Sequence, residues 1–119
     1  MNKRNITKST DELKQLISDN PDLPIVVLAG ENASSVEFNL TYCSSVHFEI
    51  GEILDCELPF ESNYVFTDRE EFDIALGDYL VYLPECEDLS TEDFEIYCSK
   101  KLKEYDPYWK KVIAIIVDN

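Results

Sequence analysis

The sequence predicts a single α+β domain over residues 1–119, a mostly antiparallel sheet of about five strands with two to three helices packed on one face. Three observations predict it. Apolar residues alternate with polar ones at strand period in the middle of the chain. Two continuous apolar runs, one near each end, suit buried strands. Three segments, one before the first run and two between the runs, combine helical spacing of apolar residues with capping residues at their starts. At 119 residues and 45% hydrophobic content the chain buries roughly two-thirds of its unfolded surface in one core.

In order, residues 1–8 are polar and basic and are expected to be a flexible N-terminus. Ser9-Thr10-Asp11-Glu12 reads as a capping box for a helix to about Asp19, with Leu13, Leu16 and Ile17 on its buried face. Asn20-Pro21-Asp22 ends it. Ile25–Ala29 is an unbroken apolar run, expected to be a strand covered on both faces. Val36–Tyr42 alternates and predicts a half-buried strand. Val46–Leu58 predicts another, with Val46, Phe48 and Ile50, then Leu54, Cys56 and Leu58, facing inward and a bulge or bend at Gly51. Tyr64–Phe66 predicts a short strand.

Thr67 is expected to cap a helix that buries Phe72, Ala75, Leu76, Tyr79, Leu80 and Leu83 and stops at Pro84. Ser90 caps a third helix, with Phe94, Tyr97, Cys98, Leu102 and Tyr105 inward. Its acidic first turn and lysine-rich last turns complement the helix dipole. Asp106-Pro107 breaks it. Lys111–Val117 is the second apolar run, placed beside the first in the middle of the sheet.

Charge is the strongest global signal, with 25 acids against 10 bases. From Gln15 to Ser99 there are 20 acids and one base, Arg69; the ends carry the other nine bases with five acids. Such a middle repels nucleic acid and acidic membranes and attracts basic partners. Direct nucleic-acid binding is disfavoured, because the lysines and arginines are confined to the ends. No apolar run approaches a membrane span and the N-terminus lacks a signal-peptide core, so a cytoplasmic protein is expected.

Chemistry is sparsely supplied. Cys43, Cys56, Cys86 and Cys98 are irregularly spaced, with His47 as the one histidine, so no metal site and no cofactor is expected and all four cysteines read as thiols. Cys56 and Cys98 fall on apolar stripes, Cys86 in an acidic loop. Phosphate loops and nucleophile elbows are absent, and an enzymatic role is not expected. Tyr108 and Trp109 read as core or rim rather than a base-stacking platform.

The acids offer a binding surface instead. Glu49, Glu52, Asp55 and Glu57 lie along the predicted strand, Glu70 and Asp73 on the second helix, and Glu85, Glu87 and Asp88 in the following loop. Same-face residues of a strand are roughly 6.8 Å apart, comparable to the roughly 6–7 Å between successive phosphates of a DNA strand. An acidic strand can therefore imitate a phosphate ladder, or it can be an ordinary solvated face.

LKQLISDNPDLPIVVLAGE at 13–31, YVFTDREEF at 64–72 and the ending DPYWKKVIAIIVDN resemble a group of small acidic proteins carried by phages and mobile elements of low-GC Gram-positive bacteria, a setting that includes anti-CRISPR proteins. The matching motifs are structural, so no site residue is carried over. The resemblance implies a setting, not a mechanism. Taken with the acidic surface, it leads to the expectation of an inhibitor, a monomer or weak dimer, whose partner is a basic nucleic-acid-binding protein such as a CRISPR effector nuclease, blocked at its DNA groove. The alternatives are an antitoxin- or adaptor-type module that binds a basic partner without mimicry, and an inhibitor that locks a conformation.

Overall fold

In the computed structural model, residues 6–33, 40–62 and 65–119 are described. They comprise α1 (Asp11–Asp19), β1 (Ile25–Ala29), β2 (Ser45–Leu54), α2 (Arg69–Leu80), α3 (Thr91–Lys103) and β3 (Trp109–Asp118), with 3-10 turns at Pro84–Cys86 and Asp106–Tyr108. The fold is α+β, with three helices and one three-stranded mixed sheet among these residues. The chain divides into two compact units, Met1–Gly51 with Lys111–Asn119, and Glu52–Lys110.

The sheet order is β1-β3-β2. The last strand is central and lies beside the first, as the apolar runs predicted, but the pair is parallel, with Ile25 opposite Ile113 and Ala29 opposite Val117. Among the described residues, five antiparallel strands are not found. Val36–Asn39, Tyr64 and residues 1–5 of the N-terminal segment expected to be flexible lie outside the described residues, while Leu40–Tyr42 and Val65–Phe66 have no strand conformation.

The first unit contains α1, β1 and most of β2 and β3. Ser9 Oγ accepts from the Asp11 amide at 3.2 Å rather than closing a capping box with Glu12, and Thr10, the N-cap, makes no side-chain bond. Leu13 and Leu16 are half-buried and Ile17 is exposed. Contrary to the expectation of cover on both faces, β1 is an edge strand whose burial alternates, with Ile25 50% and Val27 64% exposed. Burial concentrates on the central strand at Val112, Ile113 and Ala114. Asn119 fastens the C-terminus: its Nδ2 donates to Asn32 O and Ala33 O, and its Oδ1 accepts from the Ser44 amide.

The second unit has an aromatic core. Leu54, Phe66, Phe72, Leu76 and Leu80 are buried together, and the Phe72 ring meets Phe66, Tyr105 and Trp109 at centroid distances of 5.3, 5.0 and 6.2 Å. α2 packs on α3, and the predicted inward stripes of both helices face this core. The cap of α2 is Asp68, whose carboxylate accepts from the Glu70 amide at 2.8 Å, rather than Thr67. Ser90 caps α3 as predicted, accepting from the Asp93 amide at 3.1 Å. α2 ends at Leu80, before Pro84, which opens a 3-10 turn. That turn buries Cys86 (7% exposed), so this cysteine belongs to the core and not to a solvated loop.

β2 continues as a strand through Gly51, and its burial alternation lapses there. The glycine has φ outside the left-handed region and open space where a side chain would stand. The strand stops at Leu54, so Asp55 and Glu57 are not in it. The chain nevertheless stays alternately buried to Phe60, because Cys56, Leu58 and Phe60 pack on the aromatic core. Leu54 N–H donates to Phe66 O and Asp55 N–H to Tyr108 O, single bonds in place of a ladder.

Candidate acidic interaction surface

Eight of the nine sequence-predicted residues, all but Glu49, belong to the unit Glu52–Lys110. That unit holds 17 acids and five bases, so −12 of the chain's net −15 is concentrated there.

The acids of the β2 stretch do not form the uninterrupted row that the sequence suggested. Glu52 has the same strand parity as Phe48, Ile50 and Leu54, so it sits in the inward phase and is only partly exposed. Arg69 meets it there with two parallel bonds, Nε to Oε1 at 2.8 Å and Nη2 to Oε2 at 3.2 Å. This bidentate, charge-assisted geometry is the strong form of the interaction. It holds the Glu52 carboxyl below its ordinary range, chiefly through the hydrogen bond, and raises Arg69 for the same reason. Arg69 also lies 3.9 Å from Asp106 Oδ1 and places its guanidinium carbon 5.0 Å from the Trp109 ring centroid. The single base of the acidic middle is thus committed to structure.

Asp55 is answered in the same way, by Lys110 Nζ at 2.7 Å. Of the four acids of this stretch, Glu49 and Glu57 stand exposed and outside the ion pairs among the described residues. Glu49 alternates with half-buried Phe48 and Ile50 on β2, as does His47, which is exposed.

α2 carries acids on two flanks. Glu70 and Asp73, three residues apart, share one flank; Glu71 and Asp78 lie on the other, and exposed Ile74 and Val81 run between them. Glu70 and Glu71 also complement the helix dipole in the first turn, so part of this acidity has a structural reason. Asp73 and Glu95 border Cys98, whose thiol is pushed up by burial first and by neighbouring negative groups second.

Glu85, Glu87 and Asp88 surround the buried Cys86 and are all exposed. Glu85 has a partner: the Tyr97 hydroxyl donates to its Oε1 at 3.0 Å. Loss of hydration and the facing carboxylates push the Tyr97 phenol up to about 12, so at neutral pH it remains a donor. The structure therefore gathers Glu70 with Asp73, and Glu85 with the start of the turn that bears Glu87 and Asp88. It removes Glu52 and Asp55 from the free acidic surface.

Sequence reading missed the two cations that neutralise Glu52 and Asp55. A signal for the first was present, since Glu52 breaks the inward apolar parity and one base alone in the middle of the chain could answer it. Sequence reading also missed a cavity of about 190 Å³ between α2 and α3, with Leu76 and Leu80 beneath and Glu85, Tyr97 and Glu104 among its lining. No group of three potential metal ligands occurs among the described residues, all four cysteines are free, and no described helix is long and apolar enough to cross a membrane.

Comparison with protein-family models, with curated proteins and with solved structures finds no match.

Proposed function

We propose that the chain is a non-catalytic binding module of the cytoplasm, which presents the acidic surface of residues 52–110 to a basic nucleic-acid-binding protein and competes there with nucleic acid. A phage-type inhibitor of a CRISPR effector nuclease, seated in its DNA-binding groove, is the form of this reading that the resemblance suggests. One observation carries it: a net charge of −12 is gathered in one 59-residue unit, where Glu57, Glu70, Asp73, Glu87 and Asp88 are exposed and outside the ion pairs among the described residues. Such a field accelerates encounter with a cationic groove and excludes acidic competitors.

The contact surface is α2 with the Glu85–Asp88 turn, extended by Glu57, rather than a strand-borne ladder. Glu52 and Asp55 are already paired with Arg69 and Lys110, so a cation of the chain itself offsets the charge each would offer a partner. The same observation favours the second reading, an acidic antitoxin- or adaptor-type module that binds a basic partner without imitating a phosphate row.

The test is inhibition of target-DNA binding by guide-loaded RNA-guided nuclease. The parent chain, a Glu57→Lys/Glu70→Lys/Asp73→Lys variant and a Glu52→Gln/Asp55→Asn variant are compared at low and raised salt. The mimic reading requires competition with DNA, steep salt dependence, loss of inhibition in the charge-reversed variant and near-full inhibition in the second. Binding to a basic protein that DNA does not displace selects the adaptor reading. Absence of inhibition in the parent chain removes this target.

A further inference from the structure

The cavity between α2 and α3 lies wholly within residues 52–110, and its volume, about 190 Å³, is below the roughly 300–1,000 Å³ of sites that hold cofactors or drug-sized ligands. It has room for one side chain. Its floor is apolar, with Leu76 and Leu80 only 2% and 3% exposed. Its rim bears two carboxylates, Glu85 and Glu104, and the ring of Tyr97. The hydroxyl bond to Glu85 at 3.0 Å fixes that ring in place. An apolar floor under an anionic, aromatic rim suits an amphipathic cation with a hydrocarbon stem and a planar charged head.

The chain already places a cation of its own there. Lys101 Nζ lies 5.6 Å from the Tyr97 ring centroid and 3.8 Å from Glu104 Oε1, the latter beyond hydrogen-bond range. It is half-exposed and loosely held. A guanidinium is better suited to this seat than an ammonium: it bonds carboxylates bidentately, stacks on an aromatic face and is more weakly hydrated.

We propose that this pocket seats one arginine side chain of the basic partner, its stem on Leu76 and Leu80 and its guanidinium between Glu85, Glu104 and the Tyr97 ring, in the place Lys101 now holds. The proposal rests on the reading that the partner is a basic protein, and it supplies the anchor that a diffuse acidic field lacks. Buried arginines in pockets are where interface energy concentrates.

The experiment titrates acetyl-Gly-Arg-Gly-amide into the full chain at low ionic strength, following the Leu76 and Leu80 methyl signals and the Tyr97 ring by NMR. The neutral isostere, with citrulline in place of arginine, is the control. Saturable shifts at these three residues with arginine, absent with citrulline, are expected. Glu85→Gln with Glu104→Gln should weaken binding roughly tenfold, and Lys101→Met should strengthen it roughly threefold by removing the competing cation.

Equal responses to both peptides, or no saturation with arginine, overturns the pocket without recourse to any variant. Unchanged affinity in the double glutamine variant, with its circular dichroism intact, overturns it as well. If the parent chain competes with DNA on a nuclease while the peptide fails to saturate, the pocket alone falls. If the peptide binds as expected and no nuclease is inhibited, the nuclease-inhibitor reading falls and the pocket stands.

Discussion

Phe72→Ala is the substitution whose cost the structure specifies best. Phe72 is fully buried and its ring joins Phe66 from the segment before α2, Tyr105 from the end of α3 and Trp109 from the start of β3. Truncation removes the transfer free energy of the ring and leaves a cavity that aromatic neighbours on three different segments cannot close together. The cost of such a change is about 3–5 kcal/mol. A chain of this length has a total stability of roughly 6–18 kcal/mol, so the loss is about a quarter to a half of the midrange. With an unfolding entropy of about 0.25 kcal/mol/K for this length, each kcal/mol moves the melting temperature about 4 °C, and the variant should melt about 12–20 °C lower. Thermal unfolding followed by far-ultraviolet circular dichroism and by fluorescence of Trp109, the only tryptophan, measures this. A shift below about 4 °C would refute the assignment of Phe72 as the centre of this core.

The capping assignments predict that Asp68→Ala costs about 1 kcal/mol in urea denaturation, as does Ser90→Ala, whereas Thr67→Ala is nearly neutral; equal effects at Thr67 and Asp68 would place the cap wrongly. Gly77 lies within α2 with open space about its Cα, so Gly77→Ala should stabilise by about 0.5–1 kcal/mol, while at Gly30 an added Cβ would run into the Asp118 carboxylate and no gain is expected. Because the folded-state pKa of Glu52 is depressed, its contribution is present above the ordinary glutamate value near 4.5 and is lost as the pH falls through the lower folded value; Glu52→Gln should flatten that limb of the stability profile. Tyr97, raised to about 12, favours the protonated fold, so stability drains away between about pH 10 and 12. An ultraviolet titration of the seven tyrosines should lose its last component in Tyr97→Phe.

The helices were legible because their signals are local. Phe72, Leu76 and Leu80 recur at helical spacing, and Ser90 stands where the dipole and the first turn require an oxygen. Strand pairing is not local. The unbroken runs at Ile25–Ala29 and Lys111–Val117 announced that two strands would adjoin, and continuous rather than alternating apolarity is also the mark of a parallel pair. Alternation at Leu54, Cys56 and Leu58 likewise forecast which side chains face the core, but the aromatic cluster maintains that facing without a neighbouring strand. In the acidic surface, sequence supplied the charges and their sign. For Arg69, 17 residues from Glu52, the break in apolar parity was a cue; nothing in the sequence marked Lys110, 55 residues from Asp55, as its partner, since pairing at such a separation is decided by tertiary packing.

The position of β1 bears on how the molecule behaves in bulk. Among the described residues β1 is an edge strand made only of Ile, Val, Leu and Ala, with two side chains half-open to water and no lysine or other charge of its own to guard the border. Mutual repulsion between molecules of charge −15 is one safeguard, and dissolved electrolyte shortens its reach to about 10 Å near 0.1 M and to about 3 Å near 1 M. Light scattering should therefore register self-association as salt is added or as acid titrates the carboxylates, and a single lysine at Val27 should suppress it.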